Sequence, residues 1–272
     1  MMIYTDILSK LKKRKLFAIL VDPDKHDEES LQALAEMTID GVIDFFLVGG
    51  SLVSGSVDET VHSLKGKTNL PILLFPGNVL QISPHADGIL FLSLISGRNP
   101  EFLIGNHVIA APVLKKINLE IIPTGYILIE NGRTTAVEYV SNTKPIPADK
   151  IDLTVATAMA GEMLGHKMLY LEAGSGALNP VNSSMIREVK KNTGIPLIVG
   201  GGIHTAEQVR QIYDAGADII VVGSVVEDNT EEFKACFRVY PRFGDASPLA
   251  PDSVSWSPGF SGESPSGRRP IS

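Results

Sequence analysis

The sequence predicts an α/β protein: a modified (β/α)8 TIM barrel in which the helix after the third strand is replaced by a short loop. Three observations predict it. Eight short apolar runs recur at 17–21, 44–48, 72–75, 88–92, about 121–128, 168–172, 196–199 and 218–222, and most are continuous rather than alternating. Continuous runs of four to eight residues suit strands covered on both faces, as in a parallel sheet. Helical patterns lie between most of them, and eight βα units over about 240 residues is the arithmetic of a barrel. A doubly wound open sheet is the rival, and it usually carries a glycine-rich fingerprint after its first strand. Here Asp22-Pro23-Asp24-Lys25 follows the first run instead.

Residues 1–15 form a basic amphipathic stretch (Lys10, Lys12, Lys13, Arg14, Lys15), suited to a solvated helix face or to transient contact with an anionic membrane surface. The run FAILV (17–21) ends at Asp22, too soon for a secretory signal, and no stretch reaches the ~18 apolar residues of a membrane span. The chain therefore reads as neither secreted nor membrane-spanning. Residues 28–38 place Leu31, Leu34 and Ala35 at helical spacing. Only twelve residues (76–87) join the third and fourth strands, with Pro76 and Pro84 among them, so a full crossover helix barely fits. Asn99-Pro100 opens a helix over 100–109. Residues 150–164, 182–192 and 205–215 read as helices, the last with Thr205 as N-cap. The barrel is expected to fill residues 1–237, with a last helix at about 228–237. Residues 238–272 form a Pro/Ser/Gly-rich tail that cannot bury enough apolar surface to offset its ordering entropy.

Composition narrows the function. The 272 residues carry 24 Lys+Arg against 31 Asp+Glu, a net charge of −7, which argues against a nucleic-acid partner held on a basic face. A 44% hydrophobic content supports a true core. The single cysteine, Cys236, excludes an internal disulfide framework and a cysteine zinc site, and a reducing, cytoplasmic setting is the default. The six histidines (26, 62, 85, 107, 166, 204) lack metal-ligand spacing and read as surface residues.

In such a barrel the chemistry sits at the C-terminal strand ends. Asp22, Asp24 and Lys25 follow the first run. Gly49, Gly50 and Ser51 follow the second, Gly174-Ser175-Gly176 the sixth, Gly200-Gly201-Gly202 the seventh and Gly223-Ser224 the eighth. Glycine lets backbone N–H groups approach an anion, and helix N-termini add a favourable dipole. One glycine pair makes only a tight turn; clusters at three consecutive strand ends point to a phosphate. Asp22 with Ser51 can hold a Mg²⁺, which needs few protein oxygens, or Asp22-Pro23-Asp24 is only a turn. Glu172 can act as a general base beside a phospho-ligand, or as a structural carboxylate. Tyr126 and Tyr170 can donate into the same cavity or fill the barrel top.

The segments FAILVDPDK, FFLVGGS, TGYILIENG, YLEAGSGA, VGGGI and VVGS, in this order at strand ends over residues 5–237, closely resemble the geranylgeranylglyceryl phosphate synthase family, which includes the bacterial heptaprenylglyceryl phosphate synthases called PcrB. The resemblance implies a barrel lacking one regular outer helix. It implies transfer of a polyprenyl group, here expected to be geranylgeranyl, from its diphosphate to the C3 hydroxyl of sn-glycerol 1-phosphate. It implies Mg²⁺ held through Asp22 and Ser51. The glycerol-phosphate site would comprise Tyr170, Leu171, Glu172, Ala173, Gly174, Ser175 and Gly176 with Gly201, Gly202, Gly223 and Ser224. Glu172 would deprotonate the glycerol and Tyr126 would touch the ligand. Some bacterial members carry a Lys where this chain has Leu20, and its C-terminus also departs from the family's last helix. Lys25 can help take up diphosphate charge. The gap left by the missing helix is the expected path of the prenyl chain, and an exposed apolar flank suits a homo-oligomer. A phospho-sugar isomerase or synthase, or a non-catalytic phospho-ligand binder, are the alternative readings.

Overall fold

A computed structural model describes residues 2–117 and 119–223. The eight strands are β1 (Leu16–Val21), β2 (Phe45–Val48), β3 (Ile72–Leu74), β4 (Gly88–Leu94), β5 (Glu120–Leu128), β6 (Met168–Glu172), β7 (Leu197–Gly200) and β8 (Ile219–Val222). They pair in parallel in sequence order, and β8 returns to β1 to close the barrel.

Burial explains why the runs are continuous. One face of each strand points into the barrel, where Ala18, Phe45, Leu47, Leu73, Ile122, Met168, Ile198 and Ile219 belong to one buried cluster. The alternate residues (Phe17, Ile19, Phe46, Val48, Leu169, Leu171, Val199) pack outward against the helices in a second cluster. With both faces dry, both parities are mainly apolar, and Thr124 on β5 and Glu172 on β6 are buried polar exceptions.

The helices are α1 (Ile3–Leu11), α2 (Glu28–Glu36), α3 (Val57–Lys67), α4 (Asn106–Ile117), α5 (Ala136–Ser141), α6 (Ile151–Met163), α7 (Ser183–Asn192) and α8 (Ala206–Asp214). Their starts follow capping chemistry: Asp27, Ser56, Thr135, Asn182 and Thr205 each accept a backbone N–H of the first turn. Thr205 forms a full capping box with Gln208. No helix bridges β3 and β4 among the described residues, as the short 76–87 connection requires. The helix expected over 100–109 begins with a π-helical turn (Glu101–Gly105) and runs on to Ile117, with Pro112 inside it. No helix is long and apolar enough to cross a membrane among the described residues.

The N-terminal stretch differs from a simple solvated face. Helix α1 inserts Ile7 into the interior cluster at the strand-start end of the barrel, and Glu120 accepts the N–H of Tyr4 (3.0 Å) at its first turn. Carboxylates tie the same end together. Asp44, buried, receives both Arg14 guanidinium nitrogens and the Phe17 N–H, and Asp218 receives Lys15, Lys190 and the Leu197 N–H. The strand-start end is thus spent on stability, leaving the opposite rim for chemistry. The expected 228–237 helix, Cys236, the 238–272 tail and Ser224 lie outside the described residues.

Candidate functional site

At the rim, strand alternation decides which residues meet. On β6, Tyr170 and Glu172 point inward, whereas Leu171 and Ala173 pack among the outward-facing apolar residues. Ala173 has both backbone groups engaged, donating to Gly200 and accepting from Asn131. Of the expected 170–176 set, these two therefore bring no side chain to the pocket.

Glu172 is buried at 5% exposure, and its Oε1 accepts the Gly174 N–H at 2.6 Å. Burial raises its pKa from 4.5 to about 7, against the opposing hydrogen bonds from the Gly174 N–H and the Tyr170 hydroxyl. Burial, then the Glu172 charge, pushes the Tyr170 and Tyr126 hydroxyls well above the usual phenol range, so both stay protonated donors. The Tyr126 and Tyr170 rings lie 5.4 Å apart, and Phe75 stands 5.4 Å from Tyr170, forming an aromatic floor.

The glycines are needed for close approach. A Cβ on Gly201 (φ +82°) would fall 2.3 Å from Glu172 Oε1, and one on Gly200 2.3 Å from the Tyr170 hydroxyl. Among the described residues no hydrogen bond takes up the N–H of Ser175, Gly176, Gly201 or Gly202. Four unused amides on two loops that touch make a ready anion seat. Gly223 stands beside Leu20 across the β1–β8 seam.

The first two strand ends also converge. Asp22 keeps a quarter of its side chain exposed, accepts the Asp24 N–H through Oδ1, and lies 4.0 Å from Lys25. A Cβ on Gly50 would come within 3.6 Å of the Asp22 carboxylate, so Ser51, the next residue, starts beside it. Asp24 is committed elsewhere: both its oxygens accept the Ser54 N–H and one accepts that of Gly55, which lowers its pKa. One open carboxylate beside a serine suits Mg²⁺, which keeps waters and phosphate oxygens as its remaining ligands. No group of three His, Cys, Asp or Glu forms an all-protein cage among the described residues.

Between α4 and the helix-free β3–β4 connection runs an apolar groove of about 840 Å³, part of it open to solvent. Ser51 and Tyr126 lie at its polar end; Phe91, Leu94, Phe102 and Ala110 continue it. His107 lines it too, correcting the surface reading of all six histidines. Only 8% exposed, it packs edge-on to Phe91 with Nε2 3.2 Å from Ser93, and burial lowers its pKa. His26 and His166 are half-buried.

A family model described as the PcrB family matches residues 9–239. The chain belongs to the PcrB family. This PcrB-family chain is 52% identical over 223 residues to the geranylgeranylglyceryl phosphate synthase of Spirosoma linguale, covering 82% of this chain and 90% of that one. It is 50% identical over 226 residues to that of Chitinophaga pinensis, covering 83% and 90%. The crystal structure of (S)-3-O-geranylgeranylglyceryl phosphate synthase from Thermoplasma acidophilum, in complex with its substrate sn-glycerol-1-phosphate, superposes with a TM-score of 0.82 at 34% identity, covering 88% of this chain and 97% of that chain.

Sequence reasoning missed Gln81 of this PcrB-family chain. Buried in the β3–β4 connection, its Oε1 accepts the N–H groups of Gly50 (3.2 Å) and Gly77 (3.1 Å) while its Nε2 donates to the Gly50 carbonyl (2.8 Å). It locks the Ser51 loop to the groove wall. A lone glutamine between Leu80 and Ile82 was its only sequence trace. The 131–135 loop, which lies on the glycine-rich turn, was also missed.

Proposed function

We propose that this chain transfers a polyprenyl group, with geranylgeranyl the expected donor, from its diphosphate to the C3 hydroxyl of sn-glycerol 1-phosphate. The products are an ether lipid precursor and diphosphate. The observation that carries this reading is the position of Tyr126. It lines the apolar groove and also stacks on Tyr170, the donor to Glu172, so the base and the groove adjoin.

In this reading the phosphate of glycerol 1-phosphate sits on the unused amides of the 174–176 and 201–202 turns. The prenyl chain lies in the groove. The glycerol hydroxyl oxygen attacks the allylic carbon, the bond from that carbon to the diphosphate oxygen breaks with its electron pair leaving on diphosphate, and Glu172 accepts the hydroxyl proton. A carboxylate whose pKa is about 7 is matched to that role near neutral pH. Asp22 and Ser51 would hold a Mg²⁺, which supplies charge for the leaving diphosphate. Lys25, beside Asp22, adds a cation at the same end. A sugar-phosphate isomerase needs a small polar pocket, which an apolar groove does not serve.

Exposed Ile104, Val108, Ile109 and Val113 along α4 and the turn before it suit self-association. A cytoplasmic setting, with membrane contact only to collect the prenyl donor, fits this chemistry. The test is incubation with glycerol 1-phosphate, Mg²⁺ and radiolabelled prenyl diphosphates of several lengths. Ether product that disappears in Glu172→Gln and Asp22→Asn supports the reading; absence of product at every length overturns it.

A further inference from the structure

The 131–135 loop after β5 folds onto the glycine-rich turn after β6. Asn131 Nδ2 donates to the Ala173 carbonyl, and Thr135, buried, packs so tightly on Gly174 that an added Cβ there would fall 2.3 Å from its methyl group. Thr135 is also the N-cap of α5, its hydroxyl accepting the Glu138 N–H, so the segment is anchored at both ends. Gly132 (φ +92°) makes the turn between these anchors. The loop thereby lays the Arg133 guanidinium over Gly176, where a Cβ would come 2.4 Å from Nη2. No ion pair or hydrogen bond engages that guanidinium among the described residues, and Arg133 is exposed.

We propose that Arg133 is a substrate-binding residue, a fork that closes over the phosphate of the glycerol 1-phosphate seated on the Ser175 and Gly176 amides; this rests on the function proposed above. The geometry favours it because backbone amides alone leave a dianion facing Glu172, which must itself be anionic before it can accept the hydroxyl proton. A planar guanidinium matches a phosphate bidentately and offsets that charge. Glycine at 176 is what lets the guanidinium Nη2 come this close to the turn.

The experiment is steady-state kinetics of Arg133→Ala and Arg133→Lys, paired with calorimetric titration of glycerol 1-phosphate and of inorganic phosphate in the absence of prenyl donor. A charge-assisted contact predicts a KM for glycerol 1-phosphate raised about 10- to 100-fold in Arg133→Ala, with the KM for prenyl diphosphate changed less than about twofold. Arg133→Lys, which keeps the charge and loses the fork, falls between. Affinity for both phosphate probes drops by a similar factor, with unchanged melting. A KM for glycerol 1-phosphate within twofold of wild type, an effect falling on the prenyl donor, or equal calorimetric affinities would overturn the assignment. A wild-type protein that forms no ether refutes the proposed function instead, and the phosphate titration still decides Arg133.

Discussion

Replacing Glu172 by Gln should make the protein more stable and nearly inactive. Glutamine keeps the shape: its carbonyl oxygen can go on accepting from Gly174, and its amide faces the Tyr170 hydroxyl. What it removes is a carboxyl that folding makes harder to ionise. Raising a pKa from 4.5 to about 7 costs the folded state about 3 kcal/mol once the group is charged. The folded state holds its proton more tightly than the unfolded chain, so stability is greatest below about pH 4.5 and is lost as pH rises toward about 7. Above that the cost is constant. Urea unfolding should therefore find Glu172→Gln more stable than wild type by about 3 kcal/mol near pH 8 and by only about 1 kcal/mol near pH 5. Its turnover should fall by about 10²–10⁴, the usual worth of a general base. Wild-type kcat/KM should rise with pH through a midpoint near 7. Equal stability of the two proteins at both pH values would mean that Glu172 is not desolvated. Retained turnover in the variant would remove it as the base.

Three further outcomes are expected. Gly201→Ala places a side chain at φ +82° and 2.3 Å from Glu172 Oε1. It should cost about 1–2 kcal/mol in backbone strain and lower kcat about 100-fold by displacing the base, read from thermal melts and initial rates. Gln81→Ala leaves the Gly50 and Gly77 amides unpaired, at about 1–3 kcal/mol for each donor that water does not reach. Denaturant midpoints and the Mg²⁺ concentration for half-maximal rate should both shift, because the Ser51 loop loses its tie. Ala110→Phe fills the groove where α4 faces β4, and should raise KM for long prenyl diphosphates far more than for short ones while leaving the glycerol 1-phosphate KM alone. Equal effects on all donors would place the chain elsewhere.

Much of the architecture was legible because a parallel barrel writes its strands as continuous apolar runs. FAILV, ILLF and MLYLE needed no partner to be recognised, and the missing helix was evident from a connection too short to hold one. The helix expected over 100–109 instead carries Pro112 through to Ile117. His107 was misplaced because burial depends on which way α4 turns toward β4, a relation that no local pattern encodes.

The chain alone determined what each strand end carries: an aspartate, a serine, a glutamate and three sets of glycines. It does so because these residue types follow their strands directly, within the few residues a βα turn allows. Only closure of the barrel decided which of them meet. β6 alternation turned Tyr170 and Glu172 inward and Leu171 outward, Gln81 reached back to Gly50 from thirty-one positions away, and Arg133 came to lie over Gly176. The raised pKa of Glu172 likewise exists only once surrounding strands exclude water, because desolvation is a property of the assembled interior.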